Sequence, residues 1–256
     1  MPVTAAAVEA RRAGRELVLE LVFRPLSNLL VPLLVRTRVP PPAVVLANAA
    51  IGLVAAIVLA RGDLLAAALL LQLKTLLDNV DGALARATDQ VTLAGRYLDT
   101  IADLVVNLAV FVALGRVTEK PVLAALAFVA LTVVLAVDYN VTELYRESRG
   151  TPTVQPAPTG SMVERALAGI YRVVFGPLDR FVRGFSSWRF SGGSPYDDLA
   201  VTVLANLGLT TQLAVLGLCL ALGAPSVYLW LAVACLLVLG ALHLRAEVRA
   251  STRREA

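Results

Sequence analysis

Four aspartates dominate the chemistry open to this sequence. Two lie in Asp78-Asn79-Val80-Asp81-Gly82-Ala83-Leu84-Ala85-Arg86, and two in Gly95-Arg96-Tyr97-Leu98-Asp99-Thr100-Ile101-Ala102-Asp103. Spacings of three and four residues put each pair on one helix face, a turn apart. A short turn between the two helices makes them antiparallel, so the two faces can converge on one point. Carboxylates gathered in this way repel one another and persist only with positive charge among them. Arg86, and Lys74 one turn before Asp78, can offset part of that charge, and a divalent cation offsets more. All-oxygen ligation selects Mg2+ or Mn2+ over zinc. Gly82 and Gly95 leave backbone open to a ligand or a neighbouring helix, Ala85 is small, and Arg86 offers a fork for phosphate oxygens. Metal, arginine and cleared backbone together point to a nucleotide diphosphate or a pyrophosphate.

The elements that must carry these residues follow from composition. Of 256 residues, 58% are apolar and only 16% charged, against roughly 45–50% and about 25% in ordinary soluble domains. The apolar residues come in long runs that a soluble domain would leave facing water. The fold class expected is therefore all-α, a polytopic membrane protein. Cys219 and Cys235 sit inside apolar runs and suit neither disulfides nor a thiolate zinc site. His243 is the single histidine, too few for a histidine metal cluster. Aromatics at 6% without alternating segments argue against an outer-membrane barrel. Residues 1–16 carry Glu9, Arg11, Arg12, Arg15 and Glu16 and show no signal-peptide pattern.

At about 20 apolar residues per crossing, six spans are expected: Ala43–Ala60, Leu64 to about Ala87, Leu93–Leu114, Pro121–Tyr139, Leu199–Leu222 and Val227–Leu244. Four carboxylates deep in a bilayer would cost roughly 10 kcal/mol, and less near the interface. Nineteen of the 23 Lys and Arg residues fall on the side of the termini and the aspartates, three on the other side, with Lys74 inside a span. That excess places both termini and the aspartate end in the cytoplasm of a cell-membrane protein. The net charge of +4 is read as orientation, with no nucleic-acid partner. Arg15–Val35, with Leu17, Leu21, Leu29 and Leu33, is expected as an amphipathic helix in the interface, interrupted by Pro25 and Pro32. Residues 161–190 interleave Ile170, Val174, Phe175, Phe181 and Trp188 with five arginines and read the same way. The domain layout is a cytoplasmic N-terminus over 1–42, a six-helix catalytic domain over 43–244 with a cytoplasmic insert over 140–198, and a cytoplasmic tail over 245–256.

The aspartate stretch resembles the signature of the CDP-alcohol phosphotransferase family, D-x2-D-G-x2-A-R-x8-G-x3-D-x3-D. Asp78, Asp81, Gly82, Ala85, Arg86, Gly95, Asp99 and Asp103 meet all eight fixed positions within 26 residues. The N-terminal interfacial helix and the six spans are similar too, over about residues 15–245. The resemblance implies that Asp78, Asp81 and Asp99 ligate two Mg2+ or Mn2+ ions. Asp103 would complete the site and act as general base. Gly82, Arg86 and Thr92 would contact the CDP moiety, within a frame that includes Asp78, Ala85 and Gly95. The implied reaction is attack of an acceptor hydroxyl on the phosphorus of a CDP-alcohol, with CMP leaving. Where the first span begins, relatives carry Pro-Asn/Asp-x-x-Thr; this chain has Pro41-Pro42-Ala43-Val44-Val45, so no cytidine contact is assigned there.

The resemblance favours CDP-diacylglycerol as donor, with a small CDP-alcohol serving a lipid or inositol phosphate acceptor as the alternative. An anionic acceptor would need cations near Asp103; Arg96, Arg146 and Arg149 are candidates. Lys74 stays open between charge compensation and phosphate contact. Asn107, one turn after Asp103, is read either as a hydrogen-bond partner behind the site or as interhelical packing. The family implies a homodimer among membrane lipids. Two rivals from other classes are an intramembrane prenyltransferase and a cation carrier; the contiguous signature argues against the first.

Overall fold

The computed structural model describes residues 14–150, 156, 158–177, 180 and 196–255, and every regular element among them is helical. A π-helical turn, Leu19–Phe23, leads into α1 (Arg24–Arg36). Short turns then join α2 (Pro41–Ala60), α3 (Leu64–Ala87), α4 (Leu93–Val117) and α5 (Pro121–Ser148). The helix α6 (Met162–Val174) belongs to the insert, and α7 (Asp198–Ala205), α8 (Leu209–Ala221) and α9 (Pro225–Glu255) follow. The expectations placed on Phe181, Arg183, Trp188 and Arg189, and on the first 13 residues, fall outside the described residues.

Helix ends follow local chemistry. Pro41 and Pro42 open α2, where the first-turn N–H groups would lack partners in any case. Asp63 caps α3 by accepting from the Ala66 N–H at 3.1 Å. Thr92 caps α4 by accepting from the Gly95 N–H at 3.0 Å. Between these helices the chain reverses through Asp89 at φ +54°, a left-handed position that Asp tolerates, with the Gln90 N–H closing back on the Ala85 carbonyl at 2.8 Å. This turn sets α3 and α4 antiparallel, with the two aspartate pairs at one end.

The N-terminal helix departs from expectation in two ways. Neither Pro25 nor Pro32 ends it. The π turn makes an i to i−5 bond, from the Arg24 N–H to the Leu19 carbonyl, just before Pro25, so the proline's missing N–H falls at a change of helical register. The helix is also apolar on two faces. Leu19, Phe23, Ser27 and Val31 are buried, while Leu17, Leu21, Leu29 and Leu33 are exposed, Leu21 and Leu29 at 75% each. Its start is tied down by Asn206, which donates to the Arg15 carbonyl at 2.6 Å and accepts from the Leu17 N–H at 2.9 Å.

Among the described residues four helices are long and apolar enough to cross a membrane: α2, α4, α5 and the Pro225–Arg249 part of α9. Taken as one span bent by 45°, α7 and α8 make a fifth. The expected span Leu199–Leu222 is thus broken at Asn206–Gly208, where Asn206 holds the N-terminal segment and Gly208 starts the next helix. The sixth expected span, α3, has the length, but every 18-residue stretch of it contains Lys74, Asp78 and Asp81. Two helices overrun their expected ends: α5 continues past Tyr139 to Ser148, and α9 takes up the expected tail.

The core lies where α2, α3, α4 and α8 meet, with α5 and α9 against them. Small residues allow the close approach, as in membrane bundles. Ala55, Ala67, Ala113 and Ala127 are buried among Leu59, Leu71, Leu114 and Leu216. A Cβ at Gly217 would run into the Gln72 amide, which donates to the Leu213 carbonyl at 3.0 Å. Outside this core, Ile57, Leu69, Val112, Val122, Leu218 and Leu237 are exposed. An outer surface of this kind suits lipid and is costly in water.

Candidate metal centre and adjoining cavity

The antiparallel pair α3 and α4 brings together three of the four aspartates. Asp78, Asp99 and Asp103 each offer a carboxylate oxygen, and the three oxygens lie within 4.8 Å of one another. Asp81 falls outside this group but is buried beside it on α3, only 5% exposed, and its Oδ2 has no hydrogen-bond partner among the described residues. The Oδ1 of Asp99 is likewise buried and unpartnered. A buried acceptor left unpaired costs about 1–3 kcal/mol.

Positive charge is supplied from inside the bundle. Lys74 is wholly buried, and its Nζ donates to Asp78 Oδ1 at 2.9 Å and to Asp103 Oδ1 at 2.6 Å. Of the two roles open to Lys74 from sequence, its ammonium is spent on the carboxylates. Three carboxylates against one ammonium leave a formal charge of −2 at the group. Converging oxygens, unpartnered buried acceptors and surplus negative charge together fit a hard divalent cation such as Mg2+ or Mn2+.

Asn48 is a part of this site that the sequence reading did not single out. From the second turn of α2 its Nδ2 donates to Asp78 Oδ1 at 2.9 Å, the same oxygen that takes Lys74. Asn48 is the one polar side chain in the apolar stretch from Pro41 to Ala60, and that was the available signal.

The remaining signature positions frame the same end. Arg86 is exposed, and its guanidinium folds back over Gly82, where a Cβ would stand 3.3 Å from Nη1. Thr92 and Gly95 form the α4 cap, and a Cβ at Gly95 would press on the Thr92 hydroxyl at 3.1 Å. Ala85 is half-buried on α3.

A cavity of about 800 Å3 adjoins the aspartates. The α4 stripe Arg96, Asp99, Asp103 and Asn107 forms one wall, and Leu131 and Leu135 of α5 form another. The insert covers it with Tyr171 and Arg172 of α6 and with Arg180. Aromatic contacts seat this cover: Tyr97 of α4 lies 5.1 Å from Tyr171, which stacks at 5.1 Å on Phe175. Ser161 starts α6 by accepting from the Glu164 N–H, and Glu164 accepts from the backbone and hydroxyl of Thr159 at 3.0 and 2.7 Å. Those bonds hold the Glu164 carboxyl below its ordinary range.

Of the candidate acceptor cations, Arg96 lines the cavity, and Arg146 and Arg149 do not. Arg149 is held elsewhere: it pairs with Asp198 at 2.6 Å and lies 4.7 Å over the Tyr145 ring, whose hydroxyl donates to the same Asp198 oxygen. Arg172 and Arg180 line the cavity instead. The sequence grouped these two with the insert's amphipathic pattern, because nothing local told which turn of that helix would face Asp103.

A family model described as CDP-alcohol phosphatidyltransferase matches residues 38–238, which include the whole aspartate signature. No curated protein and no solved structure gives a match.

Proposed function

The chain belongs to the CDP-alcohol phosphatidyltransferase family, a family of EC 2.7.8 transferases, and on that premise we propose that it transfers a phosphatidyl group from CDP-diacylglycerol to the hydroxyl of a small anionic alcohol. One observation carries the reading. The carboxylate group at Asp78, Asp99 and Asp103 adjoins a cavity large enough for an acceptor and lined by Arg96, Arg172 and Arg180.

In this proposal Asp78, Asp81, Asp99 and Asp103 hold two divalent ions. Bound Mg2+ or Mn2+ supplies neutralisation of the charge that develops on the diphosphate. Arg86 lies beside that diphosphate over the bare backbone of Gly82, with Asp78, Ala85, Thr92 and Gly95 framing the CDP moiety. The acceptor enters the cavity with its anionic group toward the three arginines, whose planar forks suit phosphate. Asp103 takes the proton from the acceptor hydroxyl. The new oxygen–phosphorus bond forms as the bond to CMP breaks. Asn107, only 6% exposed and facing the cavity one turn beyond Asp103, is placed to hydrogen-bond the bound acceptor.

The proposal extends to the membrane. Asp78 and Lys74 of α3 bond across to Asn48 of α2 and Asp103 of α4, while Leu65, Leu69 and Leu73 line the exposed side of α3 at 59%, 64% and 43% exposure. That stripe supports α3 as a sixth span with its polar face inside the bundle. The Lys and Arg bias supports a cytoplasmic aspartate end in a cell-membrane protein, and family likeness supports a homodimer.

The test is CMP release by purified protein with Mg2+ or Mn2+, a panel of CDP-alcohols, and phosphorylated or neutral acceptors. CMP from CDP-diacylglycerol with a phosphorylated alcohol, and none with chelator, is expected. No CMP from any pair would overturn the proposal. CMP only from a small CDP-alcohol with a lipid acceptor would reverse the donor assignment.

A further inference from the structure

Lys74 is not one of the signature positions, yet it occupies the centre of the site. Its side chain is fully buried and does not reach water. The stem passes under Gly52 of α2, where even a Cβ would stand 3.4 Å from Lys74 Cγ. The ammonium joins two helices, bonding Asp78 of α3 and Asp103 of α4. Asn48 adds a third helix at the same Asp78 oxygen. A buried ammonium is costly when unpaired, and so is a set of converging carboxylates. Each here offsets the other.

We propose that Lys74 is a positioning residue of the metal centre: a built-in cation that holds Asp78 and Asp103 together while no divalent ion is bound, and that keeps the ion's affinity moderate in the absence of substrate. The first half follows from the two short bonds, which set the ammonium between Asp78 and Asp103 in a group whose three carboxylate oxygens lie within 4.8 Å of one another. The second half follows from Coulomb's law. An ammonium bonded to two ligands of an incoming divalent ion repels that ion at a few ångströms, in surroundings that screen poorly. A bound diphosphate adds negative charge and tips the balance, so metal and CDP-alcohol bind with positive coupling. The inference rests on the metal centre proposed above and not on the identity of donor or acceptor.

The variant is Lys74→Met, which keeps an unbranched stem and removes the charge. The readout is thermal unfolding of the full chain in detergent, titrated with Mg2+ without substrate. The wild-type Tm is expected to rise with Mg2+. K74M is expected to have a lower Tm without metal and a larger rise with it. Its half-saturating Mg2+ concentration should be lower by about tenfold or more, the least that a neighbouring unit charge at this range implies. The double variant Lys74→Met/Asp103→Asn removes one repelling carboxylate along with the ammonium and is expected to recover most of the lost metal-free Tm. If K74M accumulates only when made in Mg2+, the role of the internal cation is supported. A half-saturation unchanged or raised in K74M overturns it, as does a loss of Tm that neither Mg2+ nor the double variant recovers. A wild-type Tm indifferent to both Mg2+ and Mn2+ would overturn the metal centre itself, and this role with it. Loss of CMP release with metal-linked stability intact would bear only on the reaction.

Discussion

Gly52→Ala tests how the first span supports the aspartates. An added Cβ would collide with Val106 Cγ1, stand 3.1 Å from Cγ2 and touch Lys74 Cγ at 3.4 Å. Val106 cannot turn away cheaply. It is β-branched, so its χ1 is restricted, and it is 1% exposed in the core. The backbone of α2 must therefore move off α4, and overpacking of this kind costs roughly 1–3 kcal/mol. Asn48 lies one turn earlier on the same helix and moves with it, so its 2.9 Å bond to Asp78 lengthens or breaks. A hydrogen bond to a charged group contributes about 1.5–3 kcal/mol. If half of that reaches the transition state, CMP release falls by about threefold to tenfold. Thermal unfolding and CMP release measured on the same preparation give both numbers. The double variant Gly52→Ala/Val106→Ala removes both colliding methyls and should recover stability and rate together. G52A with unchanged Tm and unchanged rate would refute the packing argument. Lost activity that Val106→Ala does not recover would refute the link from α2 to Asp78.

Other expectations concern the reaction and its cover. Asp103→Asn should lower CMP release by about 10²–10⁴-fold, the range for a lost general base, while equilibrium binding of the CDP-alcohol in Mg2+ changes little; activity within a few-fold of wild type would remove the base assignment. Arg172→Ala and Arg180→Ala should raise KM for a phosphorylated acceptor and leave KM for CDP-diacylglycerol unchanged, as read in two-substrate kinetics. Glu164 has its pKa lowered by hydrogen bonds from Thr159, so its stabilising effect is present above the ordinary carboxylate range, near pH 4.3, and is lost as pH falls through the lowered value. Hydrogen exchange in α6 should accelerate on that acid side, and Glu164→Gln should flatten the dependence.

Much of this site could be read from residue spacing, because the information is local. Asp78, Asp99 and Asp103 needed only helical periodicity and a short reversing turn to be brought together. Span positions followed equally well where hydropathy alone decides, as in α2, α4 and α5. Residues that depend on tertiary placement could not be read. The Leu17 to Leu33 stripe was visible, but the second apolar face through Leu19, Phe23 and Val31 needed a bundle to pack against. The break at Asn206 is invisible in an apolar run, since its cause is the Arg15–Leu17 backbone 189 or more residues away. Arg149 and Arg172 are both arginines near helix ends; only the folded chain sends one to Asp198 and the other to the cavity.

The most direct measurement is anomalous diffraction from crystals of this protein soaked in Mn2+. The account predicts metal peaks at coordination distance, about 2.0–2.2 Å as for similar hard cations, from oxygens of Asp78, Asp99 and Asp103, with Asp81 completing the shell. Manganese bound elsewhere, or no peak at these carboxylates with CDP-alcohol present, would contradict it.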